Sequence, residues 1–209
     1  MFNLTSKEER ILKSLDTPAK IQDFLDKIPI NFDYKKDTCM SPRQVLKKWK
    51  CHCIEGAFLA ALALRFQGKK PLIMHFETIP SDEDHVIALF REKGKWGAIS
   101  KTNHSYLRYR EPVYNSIREL AMSFFHEYTD KKRNKTLRSY SVPIDLSVFN
   151  KNNWATDEND LWHIDEYIDT VKHYPVLTKE QIKNLRKADK IEVKLWKIRE
   201  WERGKGRVN

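Results

Sequence analysis

Apolar residues along the first third of the chain recur at three- and four-residue steps. The pattern predicts a short helix over Ser6 to Leu15 and a second from Thr17 onward, with Ile21, Phe24, Leu25 and Ile28 as its buried stripe. Thr17-Pro18 and Ser41-Pro42 each read as a helix start: the hydroxyl caps first-turn N–H groups, and proline lacks an N–H that would go unpaired there. Val45, Leu46 and Trp49 give the helix after Ser41 an inward face, and the segment from Pro29 to Met40 before it reads as a loop. From Cys53 to Phe66 nearly every position is apolar, so this helix is expected to be buried on most sides, with Gly68 as its stop.

The period then changes to that of strands. Pro71 to Phe76, His85 to Phe90 and Lys95 to Ser100 are three candidate strands, and the polar Arg91-Glu92-Lys93-Gly94 predicts an antiparallel hairpin between the last two. Two registers are open. A four-residue loop sets His85 across from Ser100, whereas a Lys93-Gly94 turn sets it across from Thr102. In both, His85, Ile87, Leu89, Trp96, Ala98 and Ser100 share one face. That face is expected to meet the Cys53 helix.

Further on, Tyr106 to Tyr114 reads as a polar, aromatic connection at the edge of a cleft. Ser116 to Tyr128 reads as an amphipathic helix, Asp130 to Lys135 as a loop, and Leu137 to Phe149 as an extended piece that Pro143 keeps irregular or at an edge. Ile182, Leu185, Ala188, Ile191, Leu195 and Ile198 recur at helical steps near the end of the chain. The expected organisation is one α+β domain over residues 1–178 and a basic amphipathic helix over 179–209 docked on it.

Composition narrows the class. The 209 residues are 40% hydrophobic and 33% charged, enough for a substantial core. The longest apolar run, Ala57 to Leu64, is far short of a membrane span. The first ten residues lack the basic-then-apolar order of a secretory signal. Three cysteines, Cys39, Cys51 and Cys53, make no disulfide framework, so a cytoplasmic protein is expected.

The net charge is +10, but residues 179–209 hold eleven Lys/Arg against five Asp/Glu and so carry +6 of it. Asp157 to Lys172 supplies an acidic partner within the chain, which argues against a nucleic-acid role. No glycine-rich phosphate loop, dinucleotide fingerprint or zinc-ligand spacing is present, and neither cofactor nor metal is expected.

Cys53 carries the chemistry. It opens the buried helix, where unpaired N–H groups and the positive end of the helix dipole favour a thiolate. His85 follows as a possible base. Glu55, in the first turn, reads as a cap, Cys51 as a structural thiol, and Trp96 as core packing or a cleft wall.

Cys53-x-Glu55-x-Ala57 opening a buried helix, then a strand, Asp84-His85-Val86 opening another, and Trp96-Gly97-Ala98-Ile99-Ser100-Lys101-Thr102 together resemble the transglutaminase-like branch of the papain-like cysteine enzymes. The resemblance covers about residues 40–110. It implies a cysteine helix packed on an antiparallel sheet, with Cys53 as nucleophile and His85 as general base. The family's third residue is an aspartate, and here Ser100 stands in its place, with Asn103 as a second candidate to orient His85. Two functions follow as expectations. One is thiol-dependent acyl transfer or hydrolysis on an amide, peptide or ester, with a protein or peptide as substrate. The other is an inactive module that binds a partner through its cleft or basic tail.

Overall fold

The computed structural model describes residues 2–33, 37–195 and 197–209; part of the loop expected between Pro29 and Met40 lies outside them. Helices α1 (Ser6–Ser14), α2 (Pro18–Asp26) and α3 (Pro42–Lys48) begin at their capping signals. The hydroxyls of Thr5, Thr17 and Ser41 accept from the backbone N–H groups of Glu8, Lys20 and Gln44. Helix α4 (Cys53–Phe66) has no hydroxyl cap; instead the His52 backbone N–H donates to the Glu55 carboxylate at 2.7 Å. Every residue of α4 from Glu55 to Leu64 is buried, as its unbroken apolar run requires. The other three helices pack around it.

Among the described residues the sheet has seven strands: β1 (Leu72–Glu77), β2 (His85–Glu92), β3 (Lys95–Ile99), β4 (Arg110–Tyr114), β5 (Ser139–Ser141), β6 (Ile144–Asp145) and β7 (His173–Pro175). Its order is β4-β3-β2-β1-β5-β7, with β6 also against β1, and all pairs are antiparallel. Lys93 and Gly94 take φ of 47° and 81°, a two-residue turn of the kind that matches strand twist. The register is therefore the second of the two, with Leu89 opposite Ala98 and Phe90 opposite Gly97. Gly97 is obligatory for close approach, since a Cβ there would lie 2.4 Å from the Phe90 ring.

Which face of the sheet meets which helix differs from expectation. Helix α4 packs on Ile73, Val86, Ala88, Phe90 and Ile99. The face bearing Ile87, Leu89 and Ala98 packs with Met74, Phe76, Tyr128 and residues of α5 (Ile117–Met122). Both faces of β2 are apolar, so alternation shows which residues share a face without showing which helix covers it.

Two helices are shorter than their patterns suggest. Helix α5 stops at Met122, because the Ser123 hydroxyl bonds the Leu120 carbonyl and Arg110 takes the Ser123 carbonyl; Phe125–Glu127 continues as a 3-10 turn. The C-terminal segment is not one helix. After α6 (Trp162–Thr170) and β7 come α7 (Lys179–Lys183), α8 (Lys190–Leu195) and a hairpin of β8 (Trp201–Glu202) with β9 (Gly206–Arg207).

Tertiary bonds claim the backbone that a continuous helix would need. Ala188 N–H donates to the Arg133 carbonyl, and Asn103 pairs with Trp201. Charge adds to the docking through Lys135–Glu192 at 3.1 Å and through Glu200, which Arg108 and Arg207 both engage. Ile191, Leu195 and Ile198 stay exposed. No helix among the described residues is long and apolar enough to cross a membrane.

Candidate functional site at the end of the sheet

Helix α4 and strand β2 begin at the same end of the sheet, so Cys53 and His85, the first residue of each, border one cavity of about 810 Å³. Cys53 is half-buried, whereas Cys39 and Cys51 are buried. The Cys53 thiol does not take the thiolate character that its helix position suggests. Burial pushes it up to about 11, against the pull of the Val86 and Ile54 backbone N–H groups beside the sulfur. Glu55 contributes in the same direction by placing a carboxyl in the first turn.

His85 is buried, and burial pulls its imidazole down to about 3. Near neutral pH the Cys53 thiol is uncharged, and so is the His85 imidazole. Its orientation comes from Ser100, whose Oγ lies 2.8 Å from His85 Nε2. The Ser100 hydroxyl proton is already committed to the Leu107 carbonyl. Its oxygen can therefore only accept, which assigns the proton to Nε2 and leaves the lone pair on Nδ1.

Ser100 is itself held on three sides. Gln22 of α2 accepts from the Ser100 backbone N–H at 3.0 Å and donates to its carbonyl at 2.9 Å. Leu107 presents its carbonyl from a left-handed conformation (φ 58°), fixed by the Glu127 carboxylate on its N–H at 2.8 Å. Arg110 pairs with Glu127 at 2.6 Å. A bulky residue in the left-handed region is strained and needs such support.

Asn103 is not an orienting partner of His85. Its side-chain amide pairs with both backbone groups of Trp201, at 3.1 and 2.8 Å, and so ties β8 to the body. It borders the cavity but is spent on the C-terminal hairpin. Trp96 lies outside the cavity lining, half-buried, with the Arg91 guanidinium 5.5 Å from its ring centre. Glu55 is a cap: one carboxylate oxygen holds His52 N–H and the other accepts from Thr38 and Met40.

Sequence reasoning missed Gln22, Leu107 and Glu127. Gln22 had a faint signal, a polar residue beside Ile21 in a buried stripe. Leu107 and Glu127 had none, because a carbonyl and its support act here through chain geometry.

Among the described residues no group of three or more His, Cys, Asp or Glu side chains is arranged to hold a metal ion. The arrangement that exists is a nucleophile-capable thiol and an imidazole of defined tautomer at the wall of a cleft, with the buried Ser100 hydroxyl bonded to the imidazole. No protein-family model and no curated protein sequence matches this chain.

Proposed function

We propose that the protein is a transglutaminase-like cysteine enzyme that transfers or hydrolyses acyl groups of amide, peptide or ester substrates. The observation that carries this reading is the fixed tautomer: a bonded Ser100 leaves the lone pair on Nδ1 of His85, a residue that borders the same cleft as Cys53. In the reaction the Cys53 sulfur attacks the acyl carbon while Nδ1 takes the thiol proton. Proton transfer accompanies attack, since both groups start neutral.

The imidazolium so formed donates through Nε2–H to Ser100, and Ser100 passes the polarisation to the Leu107 carbonyl. A neutral hydroxyl stabilises that cation less than a carboxylate does. The leaving group takes the proton back from Nδ1, and water or an amine then releases the acyl group from sulfur.

A second reading, a non-catalytic module that binds a partner in the cleft, draws support from the same electrostatics: burial holds both Cys53 and His85 away from the ion pair of an activated thiol. Acylation by p-nitrophenyl acetate separates the two. Catalysis predicts p-nitrophenolate release at pH 7 with an acetyl group on Cys53 by mass spectrometry, lost in His85→Ala. If Cys53 acylates no faster than Cys39 in urea-unfolded protein, and His85→Ala changes nothing, the binding module is the correct reading.

A further inference from the structure

Four buried side-chain polar atoms lack a hydrogen-bond partner among the described residues: Gln44 Nε2, Tyr128 Oη, Asp160 Oδ1 and Trp201 Nε1. Of these four residues only Tyr128 borders the cavity that Cys53 and His85 border. An unpaired buried hydroxyl is unfavourable, so a native chain retains one where something else compensates.

The surroundings of Tyr128 say where its hydroxyl acts. The residue is 2% exposed and belongs to the cluster on the His85 face of the sheet. Its ring meets the Phe76 ring edge-on, with centroids 5.9 Å apart, and Phe76 is the cross-strand partner of His85. The backbone around it is fixed: the Tyr128 carbonyl accepts from Thr136 N–H, and Thr129 bridges to Lys135. Cys53, Asp82 and Asp84 border the same cavity as Tyr128. The phenol is pushed well above its ordinary range by burial, so it remains an O–H donor at any working pH.

We propose that the Tyr128 hydroxyl is an oxyanion donor for the acyl-transfer reaction, held without a partner until an acyl oxygen accepts its hydrogen bond. The inference rests on the cysteine-enzyme reading. As the Cys53 S–C bond forms, the thiol proton goes to His85 Nδ1 and the carbonyl π pair moves onto oxygen. Tyr128 O–H then donates to that oxygen together with the Cys53 backbone N–H. When the intermediate collapses, the pair returns to carbon, the leaving group departs with the proton from Nδ1, and the hydroxyl is again unpaired. A hydrogen-bond donor that meets a developing negative charge acts more strongly on the transition state than on the neutral carbonyl.

Tyr128→Phe removes the oxygen and keeps the ring. Two probes read it: p-nitrophenyl acetate, whose reaction passes through an oxyanion, and iodoacetamide, whose displacement at carbon does not. The expected result is acetylation of Cys53 slowed about 100-fold, alkylation of Cys53 within twofold of wild type, and a melting temperature equal or higher. Equal acetylation in variant and wild type overturns the assignment while leaving the enzyme reading intact. Acetylation and alkylation falling together, with a lower melting temperature, mark a structural role and overturn it too. If wild-type Cys53 is not acetylated at all, the enzyme reading itself fails and the assignment with it.

Discussion

His75 and His85 sit on neighbouring strands, one residue apart in register, and have opposite surroundings. His85 pairs across the ladder with Phe76, and His75 with Val86, so their side chains leave opposite faces of the sheet. His75 has Asp84 Oδ2 3.6 Å from its Nε2 and the His173 ring nitrogen 3.1 Å from its Nδ1. His85 has a serine hydroxyl. The carboxylate that the Cys-His-Asp pattern calls for is thus present in space, next to His85 in sequence, but it serves the other histidine. Burial would raise Asp84, yet hydrogen bonds from His75 and Thr78 outweigh it and hold the carboxyl below its ordinary range. The lesson is electrostatic: one step of register between neighbouring strands decides whether a histidine faces a charge or a dipole.

The contrast is broken most strongly by removing each histidine. His85→Ala is expected to lower Cys53 acylation about 10²- to 10⁴-fold, the usual loss of a general base, whereas His75→Ala leaves it within about threefold of wild type, allowing for small structural adjustment. The p-nitrophenyl acetate assay checks both, and equal losses would abolish the distinction between the two sites.

Acid stability tests the uncharged state of His85. Its folded value of about 3 lies below the ordinary value of 6.5. Between those pH values the unfolded chain binds a proton that the folded chain refuses. The stabilisation is complete above pH 6.5 and is lost as pH falls to 3 and below, amounting to at most about 5 kcal/mol. Urea titrations at pH 7 and pH 4 should therefore show a steeper loss in wild type than in His85→Phe. Parallel losses would mean that His85 is charged in the fold.

Ser100→Asp gives His85 the charge that His75 already has. The imidazole is then expected to titrate one or more units higher in the folded protein, by opposite-charge stabilisation, as followed by NMR of the ring protons. An unmoved titration would show that the 2.8 Å contact is not retained. The smallest effect is expected from Asp84→Asn, which removes charge from the His75 side. A loss of about 1 kcal/mol at pH 7 in urea titration fits one charge-assisted bond with Asp84 half exposed, and Cys53 acylation should be unchanged.

Much of this arrangement was legible in the residues. The caps at Thr17 and Ser41, the all-round burial of α4, the β2–β3 hairpin and the same-face relation of His85 and Ser100 each follow from a local rule of period, turn or capping. The Ser116 to Tyr128 and Ile182 to Ile198 patterns misled because helical period says nothing of competing partners. Arg110 and Ser123 ended one helix, and Arg133 and Asn103 drew the other segment into tertiary hydrogen bonds. Helices this short take most of their stability from such contacts.

Cys53 at a helix start, His85 at a strand start and the parity joining His85 to Ser100 were determined by the sequence alone, because backbone periods convert directly into positions. The tertiary structure decided that Asn103 belongs to Trp201, that Leu107 supplies the carbonyl, and that Tyr128 keeps an unpaired hydroxyl. It also reversed the electrostatics at Cys53. A helix terminus acts over one turn with a partial charge, whereas desolvation depends on everything packed around the sulfur, and here desolvation wins.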